Sequence, residues 1–154
     1  MSVEPKALWT EDDFDQMGWH DCRVHGFSFS PPSATGWSVA LDIDYILEWV
    51  DPTEPGGNFS FWVAPATLVF PYANDVILNV EMEAYQELEI DAMTRRQGSE
   101  GTHDIRWSIA GSFNLDLSAS SYQQYIRATP VHIDLQALSP EQRGGVSFAT
   151  VGYR

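Results

Sequence analysis

Between Val39 and Trp49 the chain reads Val-Ala-Leu-Asp-Ile-Asp-Tyr-Ile-Leu-Glu-Trp. The odd positions, Val39, Leu41, Ile43, Tyr45, Leu47 and Trp49, are all apolar, while the even ones carry Asp42, Asp44 and Glu48. This period of two predicts a β-strand with one face in a core and the other in water. A one-residue slip would bury the carboxylates of Asp42, Asp44 and Glu48, so this strand is expected to fix the register of its neighbours.

The flanking sequence supplies partners. Thr10-Glu11-Asp12-Asp13 predicts a short helix over about 11–17, with Thr10 as N-cap, Asp13 at the third helical position and Gly18 closing it. Val24–Ser30 is expected to pair antiparallel with Val39–Trp49 across a Pro31-Pro32 turn. Phe59–Phe70 is apolar on both parities, as expected of a strand covered on both sides or of half an interface; Pro65 should bend it. Pro71–Asp75 reads as a turn before Val76–Glu83, whose Val76, Leu78, Val80 and Met82 should face inward. Tyr85–Arg96 fits a strand better than a helix, because the helical stripe through it contains Glu89. After a turn at Gln97–Gly101, Ile105–Leu117 alternates again, with Gly111 as a bulge or bend. Tyr122–Arg127, Val131–Leu135 and Val146–Val151 are further strand candidates, with one helical turn at Ser139-Pro140-Glu141. These elements predict one all-β antiparallel domain over 1–154, barrel-like or a strongly bent sandwich, with a short N-terminal helix.

Composition narrows the function classes. Eight Lys and Arg stand against 22 Asp and Glu, a formal charge of −14. That field repels nucleic-acid phosphates and anionic lipid and attracts basic partners, although solubility alone also accounts for such charge. No apolar run approaches the ~20 residues of a membrane-spanning helix, and Met1–Lys6 is followed by no apolar leader segment. The single cysteine, Cys22, excludes an internal disulfide and fits a cytoplasmic setting.

Three segments carry a resemblance: Trp19-His20-Asp21; Leu41-Asp42-Ile43-Asp44-Tyr45-Ile46 with Trp49; and Phe61-Trp62-Val63-Ala64-Pro65-Ala66-Thr67-Leu68 with Phe70. They resemble small uncharacterised bacterial domain proteins, as does Tyr122–Arg127 followed by Pro130. More loosely, an early His-Asp before a β-meander resembles immunity proteins of polymorphic-toxin systems. The resemblance implies a bacterial cytosolic setting and a binding role, and carries over no catalytic residue.

Candidate chemistry is sparse. His20, Asp21 and His25, with Cys22 between them, are residue types that zinc accepts, but their spacing matches no recognised zinc pattern. On a strand His20 and His25 would point to opposite faces, so Asp21 is expected to take backbone N–H bonds and His20 to pack beside Trp19. No metal and no cofactor is therefore expected. Cys22 beside Asp21 lacks the positive neighbours of a nucleophilic thiol. His103-Asp104 reads as a solvated strand end. Asp42 and Asp44 could do acid–base work or hold calcium, but lack a third partner in sequence. Trp37, Trp49, Trp62 and Trp107 could line a cavity; Trp49 and Trp107 have the parity of core residues, and Trp62 has that of a contact with a partner.

The sequence thus predicts a non-enzymatic, immunity-like acidic protein of the cytoplasm that binds a basic protein through Asp42, Asp44, Glu48 and Trp62. The alternatives are a small-ligand-binding β-barrel or a metal-dependent enzyme using His20, Asp21 and His25, and a homodimer joined through Phe59–Phe70.

Overall fold

The computed structural model describes residues 1–2, 5–34, 36–98 and 104–154. In chain order its elements are β1 (Leu8–Thr10), a 3₁₀ helix (Glu11–Gln16), β2 (Arg23–Ser33), β3 (Gly36–Val50) and β4 (Ser60–Val80). There follow β5 (Leu88–Gln97), β6 (Ile105–Gly111), β7 (Phe113–Ala119), β8 (Gln123–Ile126), β9 (Val131–Ile133) and α1 (Pro140–Arg143). The structure is mostly β, as predicted, and the strands form one antiparallel sheet in the order β1-β8-β4-β3-β2-β5-β6-β7. A further pairing of β4 with β7 closes a ring of strands, while β9 adds to β4.

The N-terminal helical segment starts where expected. Thr10 Oγ1 accepts the Asp12 N–H at 3.4 Å, and Asp13 returns a bond to the Thr10 N–H at 2.9 Å. Asp13 thus performs the reciprocal role usually given to Glu or Gln. Its carboxyl is held below the usual range by Lys6, 2.6 Å away, and by the Thr10 N–H.

β4 departs most from expectation. Pro71–Asp75 is no turn: the strand runs 21 residues from Ser60 to Val80. It bends where Tyr72 and Asp75 take φ of 56° and 51°, with a register shift between Asn74 and Ile77. Up to Ala73 it pairs with β3, and from Asn74 it pairs with β7. Pro65 does not bend it; Pro65 pairs in register with Asp44. Both edges of the Phe59–Phe70 stretch are paired, one by β3 and the other by β8 and β9. Residues 63–70 are all buried, so the apolar residues of both parities there are used within the chain, while Phe59 is exposed.

Ile105–Leu117 is likewise two strands, β6 and β7, folded as a hairpin around Gly111-Ser112. A Cβ at Gly111 would stand 2.1 Å from the Glu89 carbonyl oxygen, so glycine is required by the close approach of β5. Tyr85–Arg96 resolves to a strand from Leu88 onward. Met82, expected inward, is exposed. Val146–Val151 forms no strand but a strap tied to β3 and β4, where the Ser147 N–H donates to Asp42 and the Thr67 hydroxyl to the Ala149 carbonyl. Gln97–Gly98 ends β5, and the rest of the predicted Gln97–Gly101 turn lies outside the described residues, as does His103. Asp104 accepts the Ser120 hydroxyl at 2.9 Å.

The core inside the ring contains Leu41, Ile43, Tyr45, Leu68, Phe70, Trp107, Phe113 and Tyr122. Trp107 and Tyr122 meet edge to face, ring centroids 5.2 Å apart. No helix among the described residues is long and apolar enough to cross a membrane.

Candidate functional site

The even face of β3 is not solvated. Asp42 and Asp44 are both 0 % exposed. A buried carboxylate without a partner would be prohibitively costly, and each here has several. Arg127 Nη2 reaches Asp42 Oδ1 at 2.7 Å. Arg143 spans both acids, Nη2 to Asp42 Oδ1 at 2.7 Å and Nε to Asp44 Oδ1 at 3.0 Å. The Ser147 N–H closes on Asp42 at 3.0 Å, and the Leu138 N–H on Asp44 at 3.1 Å. His25 Nε2 lies 2.8 Å from Asp44 Oδ2. Burial by itself would raise the Asp44 pKa, but the bonds from His25 and Arg143 outweigh it and hold the carboxyl below its ordinary value.

The segment from Leu138 to Ala149 supplies most of that cover. α1 is a single turn capped by Ser139, and Gly144 ends it with φ of 77°. This delivers Arg143 onto the strand face, and Thr67 Oγ1 then ties down the Ala149 carbonyl at 2.8 Å. The solvated acidic face expected at Asp42 and Asp44 is therefore an internal ion-pair layer, and neither carboxylate can meet a partner while the strap is seated.

Glu48 and Trp62 lie elsewhere. A bulge between Ile46 and Glu48 shifts the register, so Glu48 pairs with Trp62 and Trp49 with Phe61. Directly paired residues share a sheet face, so the bulge puts Glu48 on the face opposite Asp42 and Asp44 and moves Trp49 onto theirs. Glu48 accepts the Ser2 N–H at 3.0 Å, and bonds from Ser2 lower its pKa. Trp62 stacks on His132, centroids 5.0 Å apart and planes 14° apart. Trp49, expected in the core, is exposed, as is Trp37.

The His20, Asp21 and His25 set divides in two. His25 joins the ion-pair layer. His20 stacks on Trp49 rather than Trp19, centroids 5.8 Å apart, and lies 3.5 Å from Asp21. Asp21 accepts Gln136 Nε2 at 2.7 Å. Asp91 of β5 joins them: the donor atoms of His20, Asp21 and Asp91 all lie within 4.8 Å of one another. The only available signal was the acidic stripe Glu87, Glu89, Asp91, which did not point to His20. Cys22 is buried, and its thiol is pushed up to about 12, by burial first and then by Asp44 and Asp21.

An acidic loop is open to solvent. Between β4 and β5 the chain Glu81-Met82-Glu83-Ala84-Tyr85-Gln86-Glu87 is exposed throughout. Met82 is 74 % and Tyr85 104 % exposed, and Tyr85 is held at φ 68°. The Gln86 N–H closes the loop on the Glu83 carbonyl at 3.1 Å. Arg23 braces its base through Glu87 at 2.6 Å.

No family model, no curated protein and no solved structure matches the chain.

Proposed function

We propose that the protein is a non-enzymatic, immunity-like binding protein of the bacterial cytoplasm, whose partner is a basic protein. The observation that carries this reading is the 81–87 loop, where Met82 and Tyr85 project fully among Glu81, Glu83 and Glu87. Exposed Tyr and Met ringed by charge have the make-up of an interface centre with a polar rim. A non-glycine residue at positive φ keeps Tyr85 projected at an energetic cost that a role in contact would explain. The overall charge of −14 then speeds encounter with a basic surface and makes it sensitive to salt.

A photo-crosslinking residue placed at Tyr85, with Ile77 as control, tests this in the native host. Crosslinking of one basic protein from Tyr85 and not from Ile77 is expected. The association rate of that protein should fall steeply with ionic strength, and Glu81→Lys with Glu83→Lys should slow it further. A rate that ignores both salt and the double substitution overturns the reading.

A further inference from the structure

We propose that His20, Asp21 and Asp91 form a binding site for one divalent transition-metal ion of the zinc type, independent of the partner surface above. Two carboxylates and one imidazole are a donor set that such ions accept and that magnesium, with its preference for oxygen, does not favour. Bonds of about 2.0–2.2 Å put neighbouring donor atoms about 3–4 Å apart. The observed spread of up to 4.8 Å closes by rotation of the Asp91 side chain, which is exposed.

Groups around the site already aim it. His20 Nδ1 lies 3.2 Å from the Asp91 carbonyl oxygen. Donation there fixes the tautomer that leaves Nε2 free, the nitrogen facing Asp21. Trp49 stacks on the imidazole and holds its plane. The Gln136 amide fixes one oxygen of Asp21, whose φ of 63° is the left-handed backbone that turns this side chain toward β5. Asp91 is the additional residue of a bulge, between the paired Ile90 and Ala92. Bulges re-aim side chains, and Gly111 makes room for this one, because a Cβ there would lie 3.0 Å from the Asp91 nitrogen. Two backbone irregularities on adjacent segments thus converge on one cluster, in a chain whose field concentrates cations.

The test is zinc titration of the untagged full-length chain by calorimetry, with magnesium as control, alongside imidazole ¹⁵N spectra of the wild type. One zinc per chain is expected, with weaker response to magnesium and a shift of the His20 Nε2 resonance. His20→Gln and Asp91→Asn should each weaken binding more than about tenfold, while His132→Gln should not. Melting of the metal-free variants reports their folding, and the wild-type His20 resonance tests the site even if a variant fails to fold. An unshifted His20 resonance, or zinc affinity unchanged in both variants, overturns the proposal.

Discussion

Arg143 closes on Asp42 with two bonds, Nη2 to Oδ1 at 2.7 Å and Nη1 to Oδ2 at 3.2 Å, across 101 positions of chain. The guanidinium is itself buried, 4 % exposed at the side chain. Its desolvation would lower its pKa, and the two carboxylates reverse that, so it stays charged. Two Asp and two Arg form a layer that is neutral overall, which is what allows four charges to sit beneath the strap.

Removing one partner strands the other. Arg143→Ala should cost about 3–5 kcal/mol in a urea melt, because Asp42 and Asp44 lose their shared cation in the interior. Asp42→Leu, harmless if the residue faced water, should cost a similar amount by orphaning Arg127 and Arg143. The two substitutions should be strongly non-additive in a double-mutant cycle. Additive costs below about 0.5 kcal/mol each would show that the strap does not cover the strand.

The odd positions of β3 were legible because alternation is a local property: Leu41, Ile43 and Tyr45 are core residues. The even positions were misread because the cations that neutralise them lie at Arg127 and Arg143, and no local pattern couples positions 42 and 143. Parity also failed beyond Ile46, since a bulge changes which face a residue joins without any mark in composition. Pro71–Asp75 has the residues of a turn and is instead a bend inside one strand, because β7 takes up the edge that β3 leaves. Two of the three candidate metal ligands, His20 and Asp21, were visible as a dipeptide. Asp91 comes to it through a bulge and a strand pairing.

Acid should unfasten the same layer. The Asp44 pKa is lowered in the folded protein, so the unfolded chain takes up a proton at higher pH than the folded one. The stability this group contributes is complete above the unfolded value, about 4, and is lost as pH falls through the folded value. Urea melts at pH 7, 5, 4 and 3 should show the gap between wild type and Asp44→Asn closing only below about pH 4. A gap that is unchanged at pH 3 would mean that Asp44 is not held ionised by His25 and Arg143.

Gly111 is constrained by contact rather than by φ. Gly111→Ala would press its Cβ against the Glu89 carbonyl, 2.1 Å away, and against the Ile90 backbone. Backbone cannot swing aside as a side chain can, so β5 and the β6–β7 hairpin must separate. A loss of more than about 1 kcal/mol is expected, whereas Gly145→Ala, with nothing within 4 Å, should cost little. Equal effects in thermal melts would refute the close approach and, with it, the seat of the Asp91 bulge.

Cys22 is buried near Asp44 and Asp21 and should be chemically silent. Cys22 stands just before the start of β2, and the Ile46 N–H of β3, 3.4 Å away, donates to its sulfur. Burial pushes the thiol up to about 12, and the neighbouring Asp44 and Asp21 push the same way. The thiol therefore stays protonated at pH 8, where about a quarter of an ordinary cysteine near 8.5 is ionised. Iodoacetamide at pH 8 should therefore label the native chain more than about a thousand times more slowly than the urea-unfolded chain, since burial also denies the reagent access. Arg143→Ala should raise the native labelling rate about tenfold for each ~1.4 kcal/mol of stability lost, because reaction proceeds through opened molecules. Native labelling as fast as in urea would show that Cys22 is open to solvent.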